Sequence, residues 1–329
     1  MVSRPRLTPA IADVRRAVRS LLPGEGLVLV ALSGGPDSLA LAAGVAFEAA
    51  GRAGAVIVDH QLQPGSDAVA EQAAKAAAAL GLDPVRVVRV TVAGSGGPEA
   101  SARAARYSAL ESVAAELGAA AVFLGQTLDD QAETVLLGLA RGSGAGSLQG
   151  MASVSGIYRR PLLGIRRSTT VQACADAGLE PWADPHNDDP AYTRVRVRRN
   201  VLPVLEAELG PGVAEALART AEQAREDAEA LEAFAEEVAE DLAEHIEAGI
   251  SLPVSALAAN PPALRQRLVR FAVHSEFGVA LSRVQTLEVC RLVTDWHGQK
   301  GVDLPGVSAV RVGDRIEFRA RGQDVDGQQ

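Results

Sequence analysis

The fold of this chain is dictated first by a six-residue turn with the sequence Ser33-Gly34-Gly35-Pro36-Asp37-Ser38. An apolar run over 27–32 precedes the turn and an alanine- and leucine-rich run over 39–43 follows it, which indicates a buried strand leading into a helix. The two glycines let the backbone approach a ligand closely, and Pro36 suits a first helical turn. Because free helix N–H groups and the helix dipole point at the turn, the segment predicts an anion site.

The turn lacks the signatures of two common nucleotide loops. A Walker A loop ends in Gly-Lys-Ser/Thr and a Rossmann fingerprint reads Gly-x-Gly-x-x-Gly, and neither pattern occurs here. The pattern Ser-Gly-Gly-x-Asp-Ser resembles the pyrophosphate loop of the N-type ATP pyrophosphatases, which cleave ATP between the α and β phosphates and adenylate a substrate. The alternative is an ordinary strand-to-helix turn with a good N-cap, and the Asp-Ser ending favours the nucleotide.

Composition places the chain among globular proteins of a reducing compartment. Its 329 residues are 47% hydrophobic, which is enough for more than one buried core. The two cysteines, Cys174 and Cys290, form no Cys-x-x-Cys pair, which argues against zinc or an iron–sulfur cluster. No apolar run is long enough to cross a bilayer, and no apolar secretory segment follows the basic first residues. We therefore predict a cytoplasmic protein without membrane contact.

Strand and helix patterns alternate four times in the first part of the chain. The strand patterns lie at 27–32, 55–58, 85–90 and 121–124. Such alternation predicts right-handed crossovers and a parallel sheet covered on both faces. Ligands of such sheets lie beyond the carboxyl ends of the strands, where the sequence places the 33–38 turn, the Asp59-His60 pair and the polar segment after Leu124.

The segment after Leu124 contains two adjacent aspartates, Asp129 and Asp130, at a predicted helix start. Magnesium binds few protein carboxylates and takes its other ligands from phosphate and water, so such a pair suits it. Carboxylates also stabilise a helix N-terminus, which is the alternative. We expect Asp37, with Asp129 or Asp130, to bind magnesium beside the nucleotide; the sequence leaves open which of the two binds metal and which caps the helix.

A third charged group opens the predicted helix over 98–117. Glu99, Arg103 and Arg106 share one face of that helix at i, i+4 and i+7. The plain interpretation is a surface ladder of salt bridges. The sharper one is that an arginine reaches the triphosphate or the developing charge of an adenylate.

Taken together and in order, these motifs resemble the tRNA(Ile)-lysidine synthetase family. The resemblance covers about the first two thirds of the chain and is carried by Ser33 to Ser38, Val58-Asp59-His60, Glu99 to Tyr107, Asp129 to Thr134, Arg141 to Gly144, Leu148-x-Gly150-Met151, Arg160 to Leu163, Trp182 to Asp189, Tyr192-x-Arg194 and Leu202-Pro203. The chain departs from the family in three places. Gln126-Thr127 stands where histidine is usual, Gln61-Leu62-Gln63 replaces Gly-Leu-Arg, and Val195 replaces asparagine.

The resemblance implies an ATP-dependent enzyme that adenylates C2 of the wobble cytidine in tRNA(Ile) with a CAU anticodon. L-lysine then displaces AMP and leaves lysidine, with ATP as co-substrate and Mg²⁺ as cofactor. It implies the following roles: catalysis by Asp37, Arg106 and Asp130; ATP binding by Ser33 to Ser38 and Asp59; metal binding by Asp37, Asp129 and Asp130; tRNA binding by Arg103, Arg160, Arg194, Arg198, Arg265 and Arg267. The alternatives are another adenylating enzyme of this fold, such as an ammonia-using amide synthetase or another tRNA-modifying ligase, and a nucleotide-binding protein without catalysis.

The net charge of −9 argues against a uniformly basic nucleic-acid binder, but much of the acid lies between Glu206 and Glu247. Arginine is densest at 159–167 and 194–199. The alternation at Arg194, Arg196 and Arg198 predicts an extended segment with three arginines on one face, which suits a phosphate backbone better than a merely solvated surface.

Three regions follow from these patterns. Residues 1–212 are predicted to form the α/β domain, a parallel-sheet, adenine-nucleotide α-hydrolase-like (PP-loop) fold. Residues 213–250 are acidic and alanine-rich with an apolar stripe, which indicates a linker helix; the alternative is a helical contact in a homodimer. Residues 251–329 are predicted to form a small α+β domain that binds tRNA, with helices over 262–277 and 282–293 and a hairpin around Gly313-Asp314.

Overall fold

The computed structural model describes residues 7–61, 65–91, 98–142, 145–184, 189–247 and 249–321. Two compact units divide the chain, Met1–Arg225 and Glu226–Gln329. The division falls inside the long helix α10 (Val213–Leu242), which begins where the predicted linker begins. Residues 322–329, at the end of the predicted 251–329 region, lie outside the described residues. Within the described ranges no helix is both long and apolar enough to span a membrane.

The first unit is a parallel sheet with helices on both faces. Its elements up to the helix that carries Asp129 and Asp130 are α1 (Pro9–Ser20), β1 (Val28–Ala31), α2 (Pro36–Glu48), β2 (Ala53–Asp59), α3 (Ser66–Ala79), β3 (Val85–Arg89), α4 (Pro98–Glu116), β4 (Ala121–Phe123) and α5 (Leu128–Arg141). After them come α6 (Ala145–Leu148), β5 (Val154–Ser155), β6 (Tyr158–Arg159), a 3-10 turn (Pro161–Gly164), α7 (Arg167–Asp176), α8 (Thr193–Arg196), a π-helical turn (Val197–Val201) and α9 (Leu202–Leu209). The prediction of an α/β fold with a parallel sheet is confirmed.

Strand β1 shows why its sequence is apolar throughout. Val28 and Val30 pack on one side of the sheet with α1, α2 and α7, whereas Leu29 and Ala31 pack on the other side with α4. Because both faces are covered, no position of β1 alternates to a polar residue.

The strand order determines where the sheet opens a crevice for a ligand. The order is β3-β2-β1-β4-β6-β5, and all pairs are parallel except β5 with β6. After β3 the chain returns to the other side of β1, so β1 and β4 are neighbours with their connections running in opposite directions. Such a switch point opens a crevice at the carboxyl ends of the two strands, and the 33–38 turn follows β1 there.

The prediction of an extended arginine segment over 194–198 is wrong. This stretch is helical, as α8 followed by the π-helical turn, with Val195 and Val197 buried. In a helix Arg194 and Arg198 are four residues apart and share a face, whereas Arg196 turns away and donates to the carbonyls of Pro190 and Ala191. A five-residue alternation is too short to distinguish the two conformations.

The second unit combines the last part of α10 and three further helices with an antiparallel sheet. The further helices are α11 (Val254–Ala259), α12 (Pro262–Phe277) and α13 (Arg283–Thr294), and the strands are β7 (Glu244–Ile246), β8 (Gly249–Pro253), β9 (Val302–Leu304), β10 (Val307–Val312) and β11 (Arg315–Ala320). The strand order is β7-β8-β11-β10-β9. The predicted hairpin is confirmed, since Val312 pairs with Arg315 across Gly313-Asp314 and Gly313 has a φ of 60°.

Candidate nucleotide site

A polar cavity of about 580 Å³ opens at the carboxyl edge of the sheet, beyond β1 and β4. It is lined by Ala31, Ser33, Gly35, Pro36, Asp37, Ser38, Arg103, Arg106, Gly125, Gln126, Asp130, Met151, Arg167, Arg194, Arg198 and Arg199. Six of these are arginines and two are aspartates. The cavity therefore joins most of the site residues expected from the sequence, and its charge suits a polyanion.

The 33–38 turn is closed by its own serines. Ser38 Oγ accepts a hydrogen bond from the Ser33 N–H at 3.2 Å and donates to the Gly35 carbonyl at 3.0 Å. Gly34 has a φ of 84°, which a side chain would strain, and its carbonyl accepts from the Trp182 N–H at 2.9 Å. The turn is thus fixed in shape before any ligand arrives, with helix α2 starting at Pro36.

Asp37 and Asp130 meet at one guanidinium. Arg167 Nε lies 3.0 Å from Asp37 Oδ2, and Arg167 Nη2 lies 2.7 Å from Asp130 Oδ1. Thr170 also donates a short hydrogen bond to Asp37. Burial raises the pKa of Asp37 above its ordinary value, whereas the two carboxylates raise the pKa of Arg167 against the effect of its burial. The sequence placed Arg167 only in the basic stretch over 159–167 and did not predict its contacts with Asp37 and Asp130.

The Asp129 carboxylate points away from the Arg167 guanidinium that Asp37 and Asp130 share. Its Oδ2 accepts from the Arg167 N–H at 2.7 Å, at the start of α7, and its Oδ1 lies 3.1 Å from Arg166 Nη1. Asp130 Oδ2 accepts from the Thr127 N–H at 2.8 Å in a capping box, which leaves Oδ1 for the cavity. The expectation that Asp129 binds the metal therefore does not fit this geometry, because both of its oxygens are already engaged outside the cavity.

The donor set fits magnesium at Asp37 and Asp130. Their oxygens converge on a single cationic group inside a cavity suited to phosphates. Among the described residues no cluster of three His, Cys, Asp or Glu side chains could hold a metal, so an ion here would take its other ligands from phosphate and water, as magnesium does.

Glu133 forms a second ionic layer beneath Asp130. Its side chain is fully buried, and Arg198 Nε donates to its Oε1 at 2.7 Å. Arg194 and Arg167 approach the same carboxylate at 4.0 and 3.9 Å. Burial raises the pKa of Glu133. Its place three residues after Asp130 on a helix was a signal that it shares the Asp130 face.

Arg106 is the cation best suited to a ligand anion. It lines the cavity, burial lowers its pKa, and among the described residues no carboxylate pairs with it. A partly buried charge without a carboxylate partner is unfavourable, and an anionic ligand would compensate it. Burial and, to a lesser extent, the nearby Arg106 charge lower the pKa of His60. The buried Nδ1 of His60 has no hydrogen-bond partner among the described residues.

Asp59 and Gln126 lie at the carboxyl ends of β2 and β4. Asp59 is buried and accepts from the Gln61 N–H at 3.0 Å, and it is not part of the cavity wall. Gln126 is part of that wall, and its Oε1 is buried without a partner in the described part of the chain. An amide oxygen accepts hydrogen bonds, so its ligand partner would be an N–H or O–H group rather than a phosphate oxygen.

The arginines expected to contact tRNA fall into two groups. Arg103, Arg194 and Arg198 line the cavity, and Arg103 also lies over the Tyr107 ring at 4.8 Å. Arg160 does not fit the expectation, because it is only 7% exposed and donates to the Ala152 carbonyl at 3.0 Å. A guanidinium held inside the protein in this way is unsuited to a phosphate backbone.

Arg265 and Arg267, in the second unit, are also engaged internally. Arg265 donates to the carbonyls of Leu257, Ala258 and Asn260 at 2.6, 3.3 and 2.9 Å, at the end of α11. Arg267 Nε lies 3.1 Å from Glu232 Oε1, and its side chain is 15% exposed. Both arginines thus stabilise their own unit, which weakens the expectation that they bind tRNA directly.

Comparison with known proteins fits this architecture. The PP-loop domain family matches residues 10–205, and the TilS substrate binding domain family matches residues 252–317. The tRNA(Ile)-lysidine synthase of Leifsonia xyli is 62% identical over 302 residues, which cover 91% of each chain. The chain belongs to the tRNA(Ile)-lysidine synthase family.

A second sequence relative supports the same family, whereas a solved structure shares only the fold. The tRNA(Ile)-lysidine synthase of Thermobifida fusca is 53% identical, over 91% of this chain and 94% of that one. Among solved structures, the U34-tRNA thiolase NcsA of Methanococcus maripaludis superposes with a TM-score of 0.55 at 20% identity, over 65% of this chain and 79% of that one. That likeness is one of fold alone, so membership in the tRNA(Ile)-lysidine synthase family rests on the sequence matches.

Proposed function

We propose that this chain joins L-lysine to C2 of the wobble cytidine in tRNA(Ile) with a CAU anticodon, at the expense of ATP. One observation carries the proposal in this member of the tRNA(Ile)-lysidine synthase family. The cavity beyond β1 and β4 combines a preformed anion turn with a partly buried Arg106 that has no carboxylate partner among the described residues. Such a cavity binds a polyphosphate at the sheet edge where this fold binds ligands.

The reaction would run in two steps. The cytidine O2 attacks the α phosphorus of ATP, the bond to the β-phosphate oxygen breaks, and pyrophosphate leaves. A lysine amine then attacks C2, loses a proton, and displaces AMP together with the former O2 oxygen. The 33–38 turn would hold the departing pyrophosphate, and Arg106 would stabilise the charge that develops at the α phosphate.

Asp37 and Asp130 would hold magnesium, which when bound neutralises charge on the departing phosphates. Arg103, Arg194 and Arg198 would contact the tRNA backbone near the cavity. The second unit would bind the rest of the tRNA, in line with the family match over residues 252–317. A tRNA substrate and two unpaired cysteines both suit the cytoplasm.

The test is AMP release from labelled ATP with and without each substrate. We expect AMP only when ATP, lysine and tRNA(Ile) with a CAU anticodon are all present, and lysidine at the wobble position of the product. AMP formed from ammonia without tRNA would indicate an amide synthetase, and no AMP under any condition would indicate a nucleotide-binding protein without catalysis. Asp37→Ala and Asp130→Ala should abolish turnover, and full activity of both variants would remove the metal assignment.

A further inference from the structure

Arg167 occupies the place between Asp37 and Asp130 where a bound cation would lie. Its Nε contacts one carboxylate at 3.0 Å and its Nη2 contacts the other at 2.7 Å. The two aspartates come from the starts of different helices, α2 and α5, so the guanidinium ties these helix starts together. Without a cation between them, two partly buried carboxylates would repel each other.

Carboxylates and guanidiniums around Arg167 nearly neutralise one another. Glu133 Oε1 lies 3.9 Å from Arg167 Nη1 and is paired with Arg198, which also approaches Asp130 Oδ1 at 3.4 Å. Asp37, Asp130 and Glu133 therefore share the guanidiniums of Arg167 and Arg198, and Arg194 approaches Glu133 at 4.0 Å. Loss of Arg167 would leave Asp37 without its cationic partner and Asp130 with only the longer contact to Arg198.

The Arg167 side chain can move without disturbing the backbone. Its N–H is fixed to Asp129 at 2.7 Å, so the start of α7 is held independently of the guanidinium. The side chain lines the cavity and is 23% exposed. Phosphates that enter the cavity would offer the guanidinium a new partner of the same charge as the aspartates.

We propose that Arg167 is a displaceable counter-ion, a positioning residue that holds Asp37 and Asp130 in the ligand-free chain and competes with divalent cations for them. The site then binds a cation weakly by itself, and binds it well once the phosphates of a nucleotide attract Arg167 away and add their own oxygens. This inference rests on the proposed function in one respect, because it takes Asp37 and Asp130 as the carboxylates that receive the cation.

The test measures Mn²⁺ binding to the full chain without nucleotide, tRNA or lysine, from the loss of the free Mn²⁺ signal in electron paramagnetic resonance. We expect Arg167→Gln to bind Mn²⁺ about tenfold more tightly than the wild type, a typical size for coupling between two ligands. The double variant Arg167→Gln/Asp37→Asn should lose that gain. Arg15→Gln is the matched control, because Arg15 is similarly buried and paired with Glu48 outside the cavity.

Unchanged or weaker Mn²⁺ binding by folded Arg167→Gln would overturn the proposal, as would a gain that persists in the double variant. Circular dichroism checks folding. If Arg167→Gln does not fold, Arg167→Lys provides the test, since lysine keeps the charge but not the two-pronged contact and should give a smaller gain; an unchanged affinity would overturn the proposal. A chain that shows this Mn²⁺ pattern but releases no AMP would refute the proposed function and leave the counter-ion intact.

Discussion

At the scale of single residues, the cavity owes its preference for anions to unequal pairing of its arginines. Arg167 and Arg198 form ion pairs with carboxylates, whereas Arg106 has no carboxylate partner among the described residues. A guanidinium that is already paired contributes little net attraction for a ligand. The electrostatic preference for phosphate therefore depends more on Arg106 than on Arg167 or Arg198.

We predict that Arg106→Ala lowers kcat for AMP release about a hundredfold or more, the size typical for removal of one charge-stabilising donor. Arg106→Lys should recover part of the loss, because it keeps the charge but not the planar fork. Steady-state kinetics at saturating ATP measure both. Arg86→Ala, which removes a surface arginine paired with Glu116, is the control, and an equal loss there would contradict the assignment.

At the scale of elements, two close contacts set the geometry of the first unit. A Cβ on Gly125 would lie 3.1 Å from both the N and Cα atoms of Ser38, so β4 ends directly against the first turn of α2. The absence of a side chain at Gly125 thus lets the anion turn and the Gln126 wall face the same cavity. The second contact is made by Glu206 of α9, which accepts hydrogen bonds from N–H groups at the start of α10.

Gly125→Ala should push the end of β4 away from Ser38 and misplace the 33–38 turn. We expect kcat/KM for ATP to fall about tenfold to a hundredfold, since a misplacement of about 1 Å can cost up to about a hundredfold in rate. Gly24→Ala is the control, because a Cβ there meets nothing within 4 Å. Normal ATP kinetics in a folded Gly125→Ala variant would show that the close approach is not required.

Glu206 caps the long helix α10 from the preceding helix. It accepts from the N–H groups of Gly212, Val213 and Ala214 at 2.7, 3.2 and 3.1 Å. Glu206→Ala should lower the free energy of unfolding by about 1 kcal/mol, as the loss of a cap does. Urea denaturation measures it, with the exposed neighbour Glu208→Ala as the control; equal effects would contradict a capping role.

The same cap should depend on pH. These N–H groups hold the pKa of Glu206 below its ordinary value of 4.5. The unfolded chain therefore takes up the proton first on acidification, so the stabilisation is present above 4.5 and is lost as the pH falls through the lowered value. The difference in melting temperature between wild type and Glu206→Ala should shrink between neutral pH and about pH 3. A constant difference would count against the charged cap.

At the scale of the whole molecule, a chain with a net charge of −9 is proposed to bind a polyanion. Fourteen of its 41 acidic residues lie between Glu206 and Glu247, and six arginines line one cavity. Local positive charge can bind phosphates against an unfavourable total, but such binding weakens as salt screens it.

We therefore predict that tRNA affinity falls steeply with KCl, with a slope of log K against log salt of about −0.7 to −0.9 for each phosphate contacted. Arg194→Gln should reduce the magnitude of the slope by about one. Arg16→Gln, which removes a 74% exposed arginine on α1, should leave the slope unchanged. Filter binding over a salt series measures both, and equal slopes for all three proteins would remove Arg194 from the tRNA contact.

Much of this architecture could be predicted from local patterns. The buried run before Ser33, the glycines of the turn and the apolar periodicity of α2 and α5 specify strands and helices by interactions between near neighbours. Parallel strands then require their carboxyl ends to share an edge, so the turn and Asp130 could be placed near one another in advance, whereas Arg106 was expected there from the family resemblance. The motif order also sufficed to indicate the family.

The roles of individual charges were decided only by the tertiary structure. Arg167 meets Asp37 across 130 residues of sequence because α7 packs on α2, and no local pattern encodes that pairing. The same packing turns Asp129 outward to cap α7 while Asp130 faces the cavity. Arg160 looks like a surface arginine in sequence and is buried in the fold. A periodic pattern reports which face of an element is apolar, whereas a charge acquires its role from partners that only the packing of distant elements supplies.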